Sequence, residues 1–452
     1  MRGATMNFEQ MKEYLVAAAK AAGLTEYEIY ATSSREMSTE TLKGEISSFS
    51  SGESGGISFR CIVNGKMGYA SSELLTREEM EALVDRAIDN AKNIENDDEV
   101  FIFQGSETYE AVNAVACELP EAAELKGWAL DLEKKTYEAH PSVSDGTQTG
   151  AIAFESSIML CNSHGLELTN HVSASGAYID AIVKEGEEAV SGFKIKSGRT
   201  EDAFAAMPGE AVEKARGKLG ATTVESGKYD CVISGEQMRT LLSAFSSMFS
   251  AKMVQHGMSL LKGKLGEKIA SDVVTVTDDP RRPECDIQTS FDGEGVATYR
   301  KSVIEGGELR TYLYDLTTAK KDGVASTGNG QRGSYAASVS IAPYCFCLEA
   351  GDKTQDELFS EMGEGLYITE LKGIHAGANA VTGDFSLESA GFRIRNGKIA
   401  EAVKTFTIAG NFLEMLKSID AVGDEIRFGF TGGFTSFASA DVRVRGVSVA
   451  GK

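Results

Sequence analysis

The spacing of apolar and polar positions predicts helices separated by strand-rich stretches. Phe8, Met11, Leu15, Ala18 and Ala22 recur at helical intervals, Asn7 and Gln10 form a capping pair, and Gly23 ends the run. Thr76–Glu79 is a second capping box. It opens a helix to about Asn93, with Met80, Leu83, Val84, Ala87, Ile88 and Ala91 facing inward. Residues 121–139 form a third helix, with Leu125, Trp128, Leu132 and Thr136 on one face and Pro141 as its stop. A fourth lies near 209–219. A fifth spans about 236–255 and is dominated by Met238, Leu241, Leu242, Phe245, Phe249 and Met253.

Between these helices the pattern is that of strands and glycine turns. Residues 57–63 make the best early strand, bounded by Gly55-Gly56 and Asn64-Gly65. Long runs at 151–161, 166–182 and 189–195 follow the third helix; they resemble the earlier strand-Gly-strand pattern too weakly to establish a repeat. Residues 390–395 and 398–403 flank Asn396-Gly397, the strongest short hairpin signal, and Asn411 caps a helix over 412–419. The small polar stretch 221–228 is the best linker. The fold class is therefore α+β, in three parts. Residues 1–110 form an N-terminal, helix-flanked mixed sheet, and 111–224 a middle α+β segment. Residues 225–452 form a large β-rich C-terminal domain with one long helix, its sheet mixed or antiparallel and closed or strongly curved.

Composition narrows the function. Glycine is frequent at 48 and proline scarce at 6, in keeping with tight β turns. The formal charge of −22 has no basic stripe to offset it, which argues against direct nucleic-acid binding. The seven cysteines are scattered without a Cys-x-x-Cys and read as buried, reduced thiols. No apolar run approaches the roughly 18 residues of a membrane span, and the first ten residues hold no signal core, so a cytoplasmic protein is expected. No glycine-rich phosphate loop falls at a strand-to-helix junction.

Candidate chemistry is sparse. Serine nucleophiles do not stand out: Ser386 follows Gly383-Asp384-Phe385 with no assignable histidine. Asp278-Asp279 and Asp292 with Glu294 read as turn or surface acids. Of the five histidines, His140, His164, His171 and His256 sit at helix ends, in a turn or in a strand; His375, in the glycine-flanked loop 373–377, is the one singled out for function. Gly328–Ser334 (GNGQRGS) is a polar loop before a strand that could meet an extended peptide, with Arg332 as a carboxylate or carbonyl clamp.

Several stretches resemble one family: Thr382-Gly383-Asp384-Phe385-Ser386, Gly391-Phe392 with Asn396-Gly397, Thr407–Asn411, Ala421–Asp424, Gly263–Glu267 and Gly328–Ser334. Their wording is similar to the TldD/PmbA family, closest to the PmbA/TldE branch. The match is specific over residues 229–450 and diffuse before that. Members are catalogued as modulators of DNA gyrase and read as subunits of a two-component metalloprotease. In TldD-type members the helix equivalent to 236–255 carries His-Glu-x-x-x-His, whose histidines bind zinc and whose glutamate polarises water. The matching positions here are Leu242, Ser243 and Ser247, which offer no metal donors of that kind, and the cysteine ligand expected near the C-terminus is missing from 429–436.

The resemblance implies a subunit that binds no cofactor itself. It would pair, as a homo- or heterodimer, with a TldD-like chain that supplies zinc, and would act on unfolded or leader peptides. It also tips Asn329, Arg332, Ser334, Thr382 and Asp384 toward a substrate groove or subunit interface, where His375, singled out by its glycine-flanked loop, is placed with them. A self-associating peptide-binding or regulatory protein of the gyrase-modulator type is the alternative. An enzyme with an unrecognised site, using His375 or cysteine, is a third.

Overall fold

Six long strands build one sheet: β1 (Tyr27–Leu42), β2 (Glu45–Val63), β3 (Lys66–Ser72), β4 (Gln148–Asn162), β5 (Glu167–Glu185) and β6 (Glu188–Ser197). They lie in the order β3-β2-β1-β4-β5-β6 in the computed structural model, which describes residues 7–95, 99–112, 118–430 and 433–452. Cys117 and Gly432, noted in the sequence, lie outside the described residues. Lys43-Gly44 and Asn64-Gly65, with φ of 59°, 78°, 52° and 76°, are the two-residue turns that set the β1–β2 and β2–β3 registers.

One expectation changes here. The sheet is wholly antiparallel rather than mixed. The division at residue 110 does not separate two sheets, because β1 pairs along its length with β4, from Glu28 opposite Asn162 to Leu42 opposite Gln148. Ser34 Oγ donates to Ser156 Oγ at 3.1 Å across this seam. A 16-residue strand paired on one side only would present a long open edge, and the seam removes it.

The helices α1 (Phe8–Ala21), α2 (Arg77–Asn93), α3 (Ala122–Ala139) and α4 (Met207–Arg216) begin close to where their caps predict. Asn7 and Gln10 form the reciprocal capping box, and Thr76 accepts from the Glu79 amide. α1 and α2 bury Met11, Leu15, Met80 and Leu83 against Ile57 and Phe59; α3 and α4 bury Trp128, Leu132 and Met207 against Met37, Ile179 and Phe204. The order helix, three strands, helix thus occurs twice. A Cβ on Gly68 of β3 would lie 1.9 Å from the Ala87 carbonyl of α2, and one on Gly192 of β6 would lie 2.0 Å from the Ala211 carbonyl of α4. The repeat too faint to establish in sequence is plain in the packing.

The C-terminal part holds short strands β8 (Val276–Asp278), β9 (Lys301–Glu305), β10 (Glu308–Leu309), β11 (Gly330–Gln331), β12 (Ser340–Ile341) and β13 (Cys345–Leu348). Its longer strands are β7 (Gly227–Ile233), β14 (Gly365–Lys372), β15 (Asp384–Arg395), β16 (Lys398–Asn411), β17 (Ile419–Phe428) and β18 (Ser436–Ala450). The pairings β7–β14, β14–β15, β15–β16, β16–β18 and β18–β7 close a ring in which only β7–β14 is parallel, so of the expected alternatives the sheet is mixed and closed. Asn396-Gly397 makes the predicted hairpin turn, with φ of 49° and 71°.

The long helix is broken. α5 (Gly235–Phe245) passes through a 3-10 turn, Ser246–Phe249, to α6 (Ala251–Gln255), with Ser250 extended at φ −72°, ψ 124°. Backbone around Ser250 bonds to Leu313 instead of continuing the helix, and Ser246-Ser247 is weak helix former. Phe245 stacks on Phe412 at 4.5 Å and fixes α5 against the ring. No helix of the described residues is long and apolar enough to cross a membrane.

Gly192→Val forces a side chain into the α4 backbone and is expected to destabilise by about 1–3 kcal/mol or more. Gly209→Ala, on α4 itself where nothing lies within 4 Å, is expected to be neutral or stabilising by up to about 1 kcal/mol. Urea unfolding midpoints distinguish the two.

Candidate functional site

The positions that the resemblance pairs with His-Glu-x-x-x-His do not converge. Leu242 is packed in the core with Met238, Leu241 and Phe245, whereas Ser243 and Ser247 are exposed, Ser247 beyond the end of α5. An alkyl side chain in the core and two surface hydroxyls do not form a zinc-binding donor set. The Gly-x-Ser-x-Gly at Gly52–Gly56, which the sequence reading passed over, lies inside β2 rather than at a strand-to-helix turn, so it is no nucleophile elbow.

Beside α5 opens a cleft of about 600 Å³ between the two sheets. β6 and α4 supply one wall; α5, β14 and β17 supply the other. Lys214 of α4 meets Glu236 of α5 at 2.7 Å, and Lys218 meets Glu370 of β14 at 3.4 Å, so ion pairs bridge the two parts. Sequence reasoning missed this cleft because its residues come from five separate elements with no shared motif.

The Gly328–Ser334 loop is turned inward. Asn329 is buried: its Nδ2 donates to Asp278 Oδ2 at 2.8 Å and to the Ala342 carbonyl at 3.0 Å, and its Oδ1 accepts from Thr327 at 2.7 Å. Arg332 does clamp a carboxylate, but an internal one. Its Nη2 donates to Glu28 Oε1 at 2.6 Å, with the guanidinium 4.5 Å from the Tyr30 ring centre. Arg60 holds the other oxygen of Glu28 at 2.7 Å. Burial pushes the Glu28 carboxyl up, but the two guanidiniums outweigh it and hold it below its ordinary value. Ser334 is half-buried, and the next residue, Tyr335, bonds to Thr32 and Glu73. The loop rivets the C-terminal domain to the first sheet. Gly328–Gly333 spells Gly-x-Gly-x-x-Gly, yet its centre pairs as β11 with β12 and no helix follows.

The acids read as turn or surface residues are mostly interior. Asp278, Asp292 and Glu294 are buried, whereas Asp279 is not. Asp278 Oδ1 accepts from the Tyr344 and Cys345 amides, and Lys301 bonds its Oδ2 at 3.2 Å. Asp292 accepts three amides, from Glu294, Val296 and Gly330, while Glu294 accepts one, from Leu316 at 2.8 Å. Burial, then the neighbouring Asp292 charge, raises the Glu294 carboxyl to about 8.

The remaining candidates lie at the surface. Thr382 and Asp384 are exposed and joined by Asn411, whose Nδ2 donates to the Thr382 carbonyl at 2.9 Å and to Asp384 Oδ1 at 3.0 Å. This bond holds the Asp384 carboxyl below its usual range. His375 is exposed on a short helical turn, Ile374–Gly377, and among the described residues no hydrogen bond or ion pair joins it to Thr382 or Asp384.

Arg332→Met leaves Glu28 half-paired in the interior and is expected to cost about 3–5 kcal/mol in urea unfolding. Glu294 ionises near 4.5 when unfolded and near 8 when folded, so the folded chain keeps a proton that the unfolded chain has lost. Its contribution to stability therefore falls as pH rises through that window and levels off above it. Glu294→Gln keeps an acceptor for Leu316 and should flatten this slope, read from unfolding midpoints at pH 5 and 8.5.

Three successive family domains match the chain. Residues 27–91 match PmbA/TldA metallopeptidase domain 1, 117–219 the central domain and 226–451 the C-terminal domain. A metalloprotease of Methanothermobacter thermautotrophicus is 28% identical over 417 residues, spanning 89% of this chain and 88% of that protein. A crystal structure from Thermotoga maritima, described as a candidate modulator of a DNA gyrase, superposes with a TM-score of 0.88 at 30% identity, over 98% of this chain and 100% of that one. TldE from Thermococcus kodakarensis has the same fold, with a TM-score of 0.85 at 22% identity over 97% of this chain and 99% of that one. With domain matches that run from the first sheet through the closed ring, the chain belongs to the PmbA/TldD family.

Proposed function

We propose that this chain is the PmbA/TldE-like, metal-free subunit of a TldD/TldE-type metalloprotease, acting in the cytoplasm on unfolded or leader peptides. A TldD-like partner supplies the zinc, and this chain contributes part of the peptide groove and the assembly surface. The carrying observation is the donor set on the helix after β7: Leu242, Ser243 and Ser247, in a chain without His-Glu-x-x-x-His. The family supplies the protease context. Leucine and serine side chains at those positions support placing the ion in another chain. The exposed Thr382–Asp384 surface and His375 are assigned to the groove or interface. Asn329 and Arg332 act at one remove, by holding the two parts of the chain together.

The test is reconstitution. The isolated chain is expected to cleave no unfolded peptide in a chelator-sensitive way and to gain that activity with a His-Glu-x-x-x-His homologue, forming a larger species by size measurement. Chelator-sensitive cleavage by the homogeneous chain alone, or a stoichiometric transition metal bound to it, would overturn the reading. Self-association with no partner complex would favour the regulatory alternative.

A further inference from the structure

The cleft beside α5 differs in charge from the molecule around it. The chain carries −22, yet six cations line this space, Lys194, Lys196, Lys214, Lys218, Arg239 and Arg427, against four carboxylates, Glu210, Glu236, Glu370 and Glu425. Each carboxylate already has its cation. Lys194 meets Glu210 at 3.0 Å, Lys214 meets Glu236 at 2.7 Å, Lys218 meets Glu370 at 3.4 Å and Arg427 meets Glu425 at 2.6 Å. Two cations are left over. Lys196 is exposed, and water solvates it.

Arg239 is different. Its Nε is buried without a hydrogen-bond partner, and among the described residues no carboxylate lies within ion-pair distance. Glu236, the carboxylate acting on it through space, is bonded to Lys214. The Arg239 Nη1 lies 1.8 Å from where a Cβ on Gly429 would be, so the glycine leaves room for the guanidinium. Arg239 as a whole is half-buried, so its guanidinium, with no carboxylate bonded to it, is only partly hydrated, and its planar fork matches a carboxylate. Apolar side chains stand in the same cleft: Phe193, 47% exposed, with Ile195, Ile426 and Phe428.

We propose that this cleft binds a carboxylate of an extended peptide, with Arg239 as its bidentate partner and the Phe193–Phe428 side receiving an adjacent apolar residue. The carboxylate is the peptide's C-terminus or an Asp or Glu side chain. The proposal rests on the reading of this chain as a peptide-handling subunit, and names the chemistry it selects. The cations that remain after internal pairing draw an acidic segment into a molecule that otherwise repels it.

Calorimetry on the full chain tests it with three unlabelled octapeptides of Ala, Leu and Ser: one with a free C-terminus, its C-terminal amide, and that amide with one internal Glu. The neutral amide is expected to bind about tenfold or more weakly than at least one of the other two, and the tighter binder identifies the source of the carboxylate. Arg239→Gln should abolish the difference, and Arg239→Lys should retain part of it, with each variant's unfolding midpoint measured alongside. Equal behaviour of all three peptides on the unmodified chain, absence of binding included, overturns the proposal without any variant. So does Arg239→Gln that folds and still discriminates. Assembly with a metal-bearing homologue is read separately by size, so failure of either idea is distinguishable from failure of the other.

Discussion

Glu28 sits in the first strand with its side chain out of contact with water and shares its two oxygens between Arg60 and Arg332. A carboxylate in that position is tolerable only while both cations are present, because desolvation of an ion is repaid by close, well-aligned partners and by little else. Arg60 comes from the neighbouring strand and is local. Arg332 arrives from the far domain, so the arrangement is complete only when the 328–335 loop is seated on the first sheet. Tyr335 adds its own bonds on either side of that seat. With the loop seated, α4 faces α5 and the charged cleft lies between them.

Local chemistry was readable from the sequence and long-range chemistry was not. Asn7, Thr76 and Asn411 announced helix starts because a cap needs residues only two or three positions away. Asn64-Gly65 and Asn396-Gly397 announced hairpins for the same reason. The β1–β4 pairing had no such signature: strand periodicity says which face is buried, not which distant strand lies alongside. The run over 236–255 kept helical spacing of apolar residues through the 3-10 turn, so periodicity hid the break that Leu313 imposes. Asp278, Asp292 and Glu294 looked like surface acids because composition gives no hint of the amides that surround them. Arg332 was read as a clamp for a peptide's carboxylate or carbonyl, whereas the carboxylate it bonds lies 304 positions away in the same chain.

Family membership and donor chemistry point in different directions, and both are informative. The fold is shared with proteins named as metalloproteases, while the helix that would have to grip an ion here presents a core leucine and surface serines. The ring and the sheet are held by apolar packing that does not depend on those three positions acting as ligands.

The seam between β1 and β4 has a consequence during synthesis. β1 is complete once Leu42 has left the ribosome, but its second neighbour does not exist until Gln148 is made. In that interval the nascent chain carries a 16-residue strand with one bare side, a template for any passing extended segment. How long that side stays bare depends on the time taken to make the residues between Leu42 and Gln148.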